Sequence, residues 1–211
     1  MKKIQLFILL SILCIELRGQ LTKTNSKSLL EISIGLGKVN SIGQGDFIIE
    51  GTCVDCNYKA IRNFGHEFNS KITLNKKFSE RHELLYGIGL NFWKHEVELI
   101  NAWTGSTLEN YSNTLTLFDL IAGYKFTVKE FGSNYLYVEN IIHGEINFNS
   151  EFRRFRFSVE PGIGINVGIN ESLRLLSVIS YKQSLTNFSG SNSRIHRPFN
   201  LGLKIGILKN I

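Results

Sequence analysis

The stretch FSVEPGIGINVGI, Phe157–Ile169, alternates between large apolar residues and small or polar ones. One set contains Phe157, Val159, Ile163, Ile165, Val167 and Ile169, and the other contains Ser158, Glu160, Gly162, Gly164, Asn166 and Gly168. Side chains of a β-strand point alternately to its two faces, so a period of two predicts a strand with one apolar face and one polar face.

The same period recurs in seven other segments. They cover approximately residues 30–37, 67–74, 84–92, 114–127, 135–146, 173–182 and 199–207. The segment 135–146 is the least regular, and Leu115 and Leu117 interrupt the phase of 114–127, where a β-bulge would restore it. The sequence therefore predicts an all-β fold of eight strands.

The connections between these segments alternate in length. Residues 38–64, 95–113, 147–156 and 186–198 form the longer connections, and residues 76–82, 128–134 and 170–172 form the shorter ones. Membrane-spanning β-barrels have short periplasmic turns and long extracellular loops. The pattern predicts an eight-stranded antiparallel transmembrane β-barrel with both termini in the periplasm.

Glycine is concentrated on the polar face of the predicted strands. The set is Gly35, Gly37, Gly87, Gly89, Gly123, Gly162, Gly164, Gly168, Gly202 and Gly206. Inside a narrow barrel, glycine leaves room for long side chains that reach across the lumen. We therefore place the polar face inside and the apolar face, with its aromatic residues, in contact with lipid. The alternative is a soluble exported barrel or sandwich whose apolar face points inward.

The composition fits one domain of ordinary size. The chain has 211 residues, of which 43% are hydrophobic and 20% charged, and its formal net charge is +6. The apolar content argues against disorder, and the small positive charge gives no support for a nucleic-acid partner. No apolar run reaches the roughly 18 to 20 residues of a transmembrane helix.

The N-terminus predicts export. Two lysines precede an apolar run at residues 4–15, so we predict a signal peptide at 1–19 and an outer-membrane β-barrel domain at 20–211. An N-terminal anchor helix is less favoured because the run is short for a membrane span. A lipoprotein acylated at Cys14 is less favoured still, because the preceding residue is the large Leu13.

Two cysteines remain after that cleavage, Cys53 and Cys56 in the stretch GTCVDCNY. In an oxidising compartment we expect them to form a local disulfide at a loop tip. A redox function would require a following helix, which the pattern does not predict. A zinc site would require two more ligands, and His66 is the only nearby candidate.

Charged residues on the polar face predict a network of ion pairs in the lumen. The candidates are Glu31, Glu67, Lys71, Asp119, Lys125, Glu139, Glu145, Glu160, Arg174, Lys182 and Lys204. An eight-stranded barrel is wide enough only for side chains, and buried charges are tolerated mainly when paired. We expect a lumen filled by its own side chains, with a narrow channel or carrier for small or amphiphilic solutes as the alternative.

The sequence predicts no catalytic site, cofactor or metal site. Glu139 and Glu145 fit an ion-pair network better than a catalytic dyad. The histidines His66, His82, His95, His143 and His196 lie mostly in predicted loops or turns, and none begins a His-x-Ser pair. We therefore expect a protein that is not an enzyme.

Five arginines lie near the predicted outer rim of the barrel: Arg153, Arg154, Arg156, Arg194 and Arg197. Guanidinium groups pair well with phosphates, so these residues are candidates for contact with lipopolysaccharide. Solvated loop charges are an equally good interpretation.

Two motifs add to the strand pattern: LTLFDLIAGYKF at Leu115–Phe126 and YKQSLTN at Tyr181–Asn187. Together they resemble the small outer-membrane β-barrel proteins of Gram-negative bacteria, the OmpX-like and PorT-like group, over nearly the whole chain after residue 19. The chain differs at Ile211, where such barrels usually end in an aromatic residue.

The resemblance implies an integral outer-membrane protein with a structural, adhesive or accessory function. It implies three partners, namely outer-membrane lipid, lipopolysaccharide and the barrel insertion machinery, and it transfers no catalytic residue. A soluble periplasmic barrel that binds a lipophilic ligand is the alternative from a different class, and it requires the aliphatic rows to line a pocket.

Overall fold

The computed structural model describes residues 28–42, 58–101, 104, 106–148, 154–186 and 197–211. The strands are β1 (Ser28–Ile42), β2 (Tyr58–Lys77), β3 (His82–Asn101), β4 (Thr107–Phe131), β5 (Asn134–Asn147), β6 (Phe155–Gly168), β7 (Leu173–Ser184) and β8 (Arg197–Asn210). Each strand pairs antiparallel with its neighbour along the chain, and β8 pairs with β1 to close the barrel. The predicted eight-stranded antiparallel barrel is confirmed. The described part of the chain contains no helix that could span a membrane.

The strands are strongly staggered around the barrel. Following the paired residues from Leu30 on β1 through all eight strands leads back to β1 at Asn40, ten residues farther along. With ordinary strand spacing and rise, this stagger corresponds to a strand tilt of roughly 40°. At this size the interior is filled by side chains rather than by a water channel.

The barrel has two different ends. The turn end contains the connections 78–81, 132–133 and 169–172 and also Ser28 and Asn210. Gly132, with φ of 62°, lets two residues reverse the chain between β4 and β5. The loop end contains the connections 43–57, 102–106, 148–154 and 185–196.

The predicted loop boundaries at the loop end are partly wrong. The predicted loop 95–113 is mostly strand, because β3 continues to Asn101 and β4 begins at Thr107. Residues 58–64, also predicted as loop, belong to β2. The prediction ended each strand where its apolar face ended, but a ladder of backbone hydrogen bonds does not require an apolar face.

Polar side chains point into the barrel and apolar side chains point out. Lys71 and Asp119 are buried, whereas Ile163 and Leu203 expose 62% and 50% of their surface. This is the predicted register. It contradicts the soluble lipophilic-ligand barrel, in which the aliphatic rows would line an interior pocket.

The expected β-bulge near Leu115 and Leu117 is absent from the described strands at that point. The register of β4 against β3 is continuous there, and both leucines are buried on the inner face. The apparent break in phase arose because these inward positions carry apolar rather than polar residues. A register shift occurs instead between Thr127 and Lys129, next to the turn.

Candidate functional site

The interior charges lie in three groups along the barrel, which we name the turn tier, the middle tier and the loop tier. The turn tier consists of Glu31, Lys125, Glu139 and Lys204. Lys125 Nζ lies 3.2 Å from Glu31 and 4.0 Å from Glu139. Lys204 Nζ lies 3.4 Å from Glu31 and 2.6 Å from Glu139, so each lysine lies within ion-pair distance of both carboxylates.

The middle tier consists of Lys71, Asp119, His143 and Glu160. Lys71 Nζ donates to Glu160 Oε2 at 2.7 Å. The imidazole of His143 lies between two carboxylates, with Nδ1 2.6 Å from Asp119 Oδ2 and Nε2 2.7 Å from Glu160 Oε2. These four side chains come from four different strands and meet inside the barrel.

The loop tier consists of Glu67, Glu145, Arg156 and Lys182. Lys182 Nζ lies 3.1 Å from Glu67 and 2.6 Å from Glu145. Arg156 Nη2 lies 3.3 Å from Glu145 Oε2. This tier therefore links β2, β5, β6 and β7 across the lumen.

Neutral polar groups complete the tiers. Asn75 donates to Glu31 at 2.9 Å, Ser180 to Glu160 at 2.8 Å, and Asn200 to Glu67 at 2.7 Å. A buried charge is costly unless it is paired and also hydrogen-bonded, and these contacts supply a neutral hydrogen-bond donor to one carboxylate of each tier.

Apolar clusters lie at both ends of the charged region. Val39, Trp93 and Leu115 form the cluster toward the loop end, and Leu29, Tyr137, Leu176, Val178 and Leu208 form the one toward the turn end. Each cluster contacts the adjacent tier through an aromatic ring. Arg156 lies 4.9 Å from the centre of the Trp93 ring, and Lys125 lies 4.6 Å from that of Tyr137.

Two cavities among the lumen side chains are small. A cavity of about 20 Å³ lies beside the loop tier, and another of about 10 Å³ lies beside Gly35 and Lys182. A single water molecule requires about 10–15 Å³ by this measure. Each of these two cavities therefore has room for about one water molecule.

The structure brings together ten of the eleven residues predicted for the lumen network, in the three tiers described above. Arg174 is not among them. It lies half-buried on β7 toward the turn end, where its guanidinium stacks 4.5 Å from the centre of the Tyr135 ring.

Arg156 corrects the prediction of the outer rim. It was expected to face lipopolysaccharide, but it is 4% exposed and belongs to the loop tier. The strand was predicted to start at Phe157, whereas β6 starts at Phe155, so Arg156 points inward in phase with Ser158.

The other rim arginines are placed only in part. Arg154 is exposed next to β6, and Arg197 is the first residue of β8. Arg153 and Arg194 lie outside the described residues, as do Cys53, Cys56 and the segment 1–19.

Besides Arg156, two buried titratable residues on the inner face, one histidine and one glutamate, were missed by the lumen prediction. His143 lies on β5 in phase with Glu139 and Glu145, and that phase was the signal that could have identified it. Glu83 is buried at the start of β3 and lies 3.7 Å from Lys77. It was missed because the predicted strand began one residue later.

The described residues contain no cluster of three or more histidine, cysteine or acidic side chains arranged to hold a metal ion. His82 Nδ1 contacts the Tyr124 hydroxyl, and His66 is exposed. Among the histidines whose side chains the structure describes, His143 contacts carboxylates, inside the middle tier.

The lumen glycines provide space for the side chains opposite them, and Gly164 allows a test. A Cβ atom at Gly164 would lie 2.5 Å from Tyr137 Cζ and 2.9 Å from the Ser177 carbonyl oxygen. We expect Gly164→Ala to lower the free energy of unfolding by about 1–3 kcal/mol, because the packed ring has nowhere to move. Urea unfolding in detergent micelles measures the effect.

Gly144→Ala is the matched control for that substitution. Gly144 lies on the outer face, and the nearest atom to a Cβ there is Leu120 Cβ at 3.8 Å. Its free energy of unfolding should stay within about 0.5 kcal/mol of the parent. Equal stability of the two alanine variants would contradict the packing of Tyr137 against Gly164.

Comparisons with known proteins give a structural likeness only. No family model matches the chain, and no curated protein matches it. The outer-membrane protease OmpT of Escherichia coli aligns over 90% of this chain and 99% of its own, with 7% identity and a TM-score of 0.42. The Salmonella type III secretion secretin InvG aligns over 95% of this chain and 65% of its own, with 11% identity and a TM-score of 0.19.

Proposed function

We propose that this chain is an integral outer-membrane β-barrel, exported through the signal peptide at 1–19, with a lumen closed by its own side chains. Its function is non-enzymatic and is carried by the loop end. The observation that carries the proposal is the inverted distribution of residues, with three tiers of paired charges inside and aliphatic side chains outside.

The outer surface supports a membrane location. The outward positions of the strands form an uncharged belt around the barrel. Lys38 and Lys94 mark its border toward the loop end, and Lys76 and Lys209 mark its border toward the turn end. Its exposed members include Ile32, Ile34, Leu36, Ile72, Ile88, Leu90, Leu120, Ile142, Ile163, Ile165, Ile179, Leu203 and Ile205. A continuous apolar surface of this extent is unusual on a protein in water but typical of the lipid-facing band of a membrane barrel.

Aromatic residues border the belt. Phe68 packs against Phe92 with ring centres 6.3 Å apart, and Tyr181 packs against Phe199 at 5.7 Å, both toward the loop end. Tyr124 lies toward the turn end, near Phe78. Rings at both borders fit the aromatic girdles at membrane–water interfaces.

The closed lumen favours a non-conducting barrel over the channel alternative. A solute crossing the barrel would have to separate buried ion pairs such as Lys204 and Glu139, at 2.6 Å. Separating buried pairs leaves uncompensated charges at a cost of several kcal/mol each.

Fractionation followed by bilayer recording tests this proposal. We expect the protein in the outer-membrane fraction, with a change in gel mobility on boiling and no steady conductance in planar bilayers. Recovery as a soluble periplasmic protein would overturn the membrane assignment. A steady open conductance would overturn the closed lumen and favour the channel.

The loop end has a structural feature suited to binding. Residues 58–64 of β2, 95–101 of β3 and 107–113 of β4 extend beyond the belt as a three-stranded sheet, which we name the extension. Pairing of β4 with β5 begins only at Leu117 and Asn147. Within the part of the chain that the structure describes, no strand pairs with β4 along Ser112–Thr116 on that side.

The alternation of residues along β4 shows which backbone N–H groups point to the open side of this edge. The N–H of Thr127 donates to the carbonyl of Arg81, so odd-numbered residues of β4 bond toward β3. Residues of an antiparallel ladder alternate in direction, so Ser112, Thr114 and Thr116 direct their N–H groups to the open side. An extended segment of another polypeptide can pair with such an edge.

We propose this edge as the binding element and Arg154, exposed at the same end, as a contact for lipopolysaccharide phosphate.

Proline substitution separates binding from folding. Thr114→Pro removes an N–H on the open side, so we expect an unchanged heat-dependent gel shift and loss of binding to extended peptides selected on the parent protein. Asn113→Pro removes an N–H bonded toward β3, so we expect trypsin to cleave the extension at least roughly tenfold faster. If Thr114→Pro keeps full peptide binding, the open edge of β4 is not the binding element.

A further inference from the structure

The three tiers have the same set of charges except for one member of the middle tier. The turn tier has two carboxylates and two lysines, and the loop tier has two carboxylates, a lysine and an arginine. The middle tier has the carboxylates of Asp119 and Glu160 but only one permanent cation, Lys71. His143 occupies the place that a second lysine or arginine has in the other tiers.

The contacts of the imidazole also indicate that His143 carries a positive charge. Both ring nitrogens of His143 lie within 2.7 Å of a carboxylate oxygen. A neutral imidazole has one N–H and one lone pair, so one of the two contacts would bring a lone pair against a carboxylate oxygen. An imidazolium has an N–H group on each nitrogen, so it forms the hydrogen bond from Nδ1 to Asp119 and brings a positive N–H, not a lone pair, to the ion-pair contact of Nε2 with Glu160.

The carboxylates beside His143 are held by other donors, which favour their charged forms. Lys71 and the Ser180 hydroxyl both donate to Glu160, at 2.7 and 2.8 Å. The Asn91 amide donates to Asp119 at 3.3 Å. These donors come from β2, β3 and β7, so the proton fits the imidazole better than either acid.

We propose that His143 is an imidazolium that completes the middle tier, so that the closed lumen depends on one bound proton. The charged groups that face it are Lys71 from β2, Asp119 from β4, Glu145 from its own strand, Glu160 from β6 and Lys182 from β7. With the proton in place, each tier has two negative and two positive charges. Without it, the middle tier carries a net negative charge in a buried site, and the closure of the lumen weakens.

The protonation state can be observed directly in the parent protein. With ¹⁵N-histidine labelling in detergent micelles at pH 7, two N–H groups are expected on the ring assigned to His143. The assignment comes from the signal that disappears in His143→Gln, or by residue-selective labelling if that variant fails to fold. A neutral ring with a single N–H overturns the proposal.

The charge balance is tested by a compensating pair. His143→Gln leaves Asp119 without its cation, and we expect the urea midpoint to fall by roughly 1–2 M and ion flux through proteoliposomes to rise. The double variant His143→Gln with Asp119→Asn restores the balance and should recover more than half of the midpoint and the low flux. A double variant no better than the single one overturns the proposal, because shape rather than charge would then explain the loss.

A failure of this proposal is distinguishable from a failure of the proposed function. A neutral His143 in a protein that still fractionates with the outer membrane and does not conduct would leave the closed barrel in place. The imidazolium can equally be detected if the barrel proves to be soluble, since the tiers lie inside it in either case.

Discussion

Lys204→Met is expected to lower the free energy of unfolding of the barrel by about 3–5 kcal/mol. The Lys204 ammonium lies 2.6 Å from Glu139 and 3.4 Å from Glu31, and its side chain is almost fully buried. Methionine preserves the length of the side chain but removes the charge, so Lys125 is left as the one cation of the turn tier for two carboxylates. Urea unfolding in micelles measures the loss, and the unboiled gel band gives an independent measure of the folded fraction.

Lys209→Met is the matched control on the same strand. Lys209 is exposed on the outer face near the turn end, and its replacement should change the free energy of unfolding by no more than about 0.5 kcal/mol. The double variant Lys204→Met with Glu139→Gln should recover part of the loss because the tier again contains one acid and one base. If Lys204→Met unfolds at the parent's urea concentration, the turn tier is not a paired network in the folded protein.

The sequence was sufficient to predict most of the charges that lie inside the barrel, but not which of them pair. A period of two assigns every residue of a strand to one face, and Lys71 and Glu160 could be placed on inner faces in that way. Their pairing joins residues 89 positions apart and depends on the stagger of all eight strands. That stagger is a property of the closed ring, so no single strand contains it.

Arg156 and His143 show how far the strand pattern could have been extended. Arg156 is in phase with Ser158 and Glu160. The predicted strand was made to start at its first apolar residue, Phe157, one residue too late to include Arg156. His143 is in phase with Glu139 and Glu145 but was left out because only permanent charges were collected. In both cases the alternation of faces along the strand predicted better than the residue type which side chains point into the lumen.

Leu203→Arg is the substitution expected to affect membrane assembly most strongly. Leu203 is 50% exposed on the outer face and lies between Leu36 of β1 and Ile179 of β7. An arginine on the lipid face near the bilayer midplane costs about 2–4 kcal/mol, whereas an exposed arginine in water costs almost nothing. We expect clearly less protein in the outer-membrane fraction and a smaller heat-dependent gel shift.

Thr114→Arg is the control for that change, because Thr114 is exposed on β4 beyond the belt, where an arginine would meet water. Its level in the outer membrane should equal that of the parent.

Comparison of Leu203→Arg with Lys204→Met is then decisive, because Leu203 and Lys204 are neighbours on opposite faces of β8. A membrane barrel tolerates charge at 204 and apolar character at 203 but not the reverse, which is the opposite of a soluble protein's preference. If Leu203→Arg accumulates normally while Lys204→Met is destabilised, the closed barrel is real but its aliphatic surface does not face lipid.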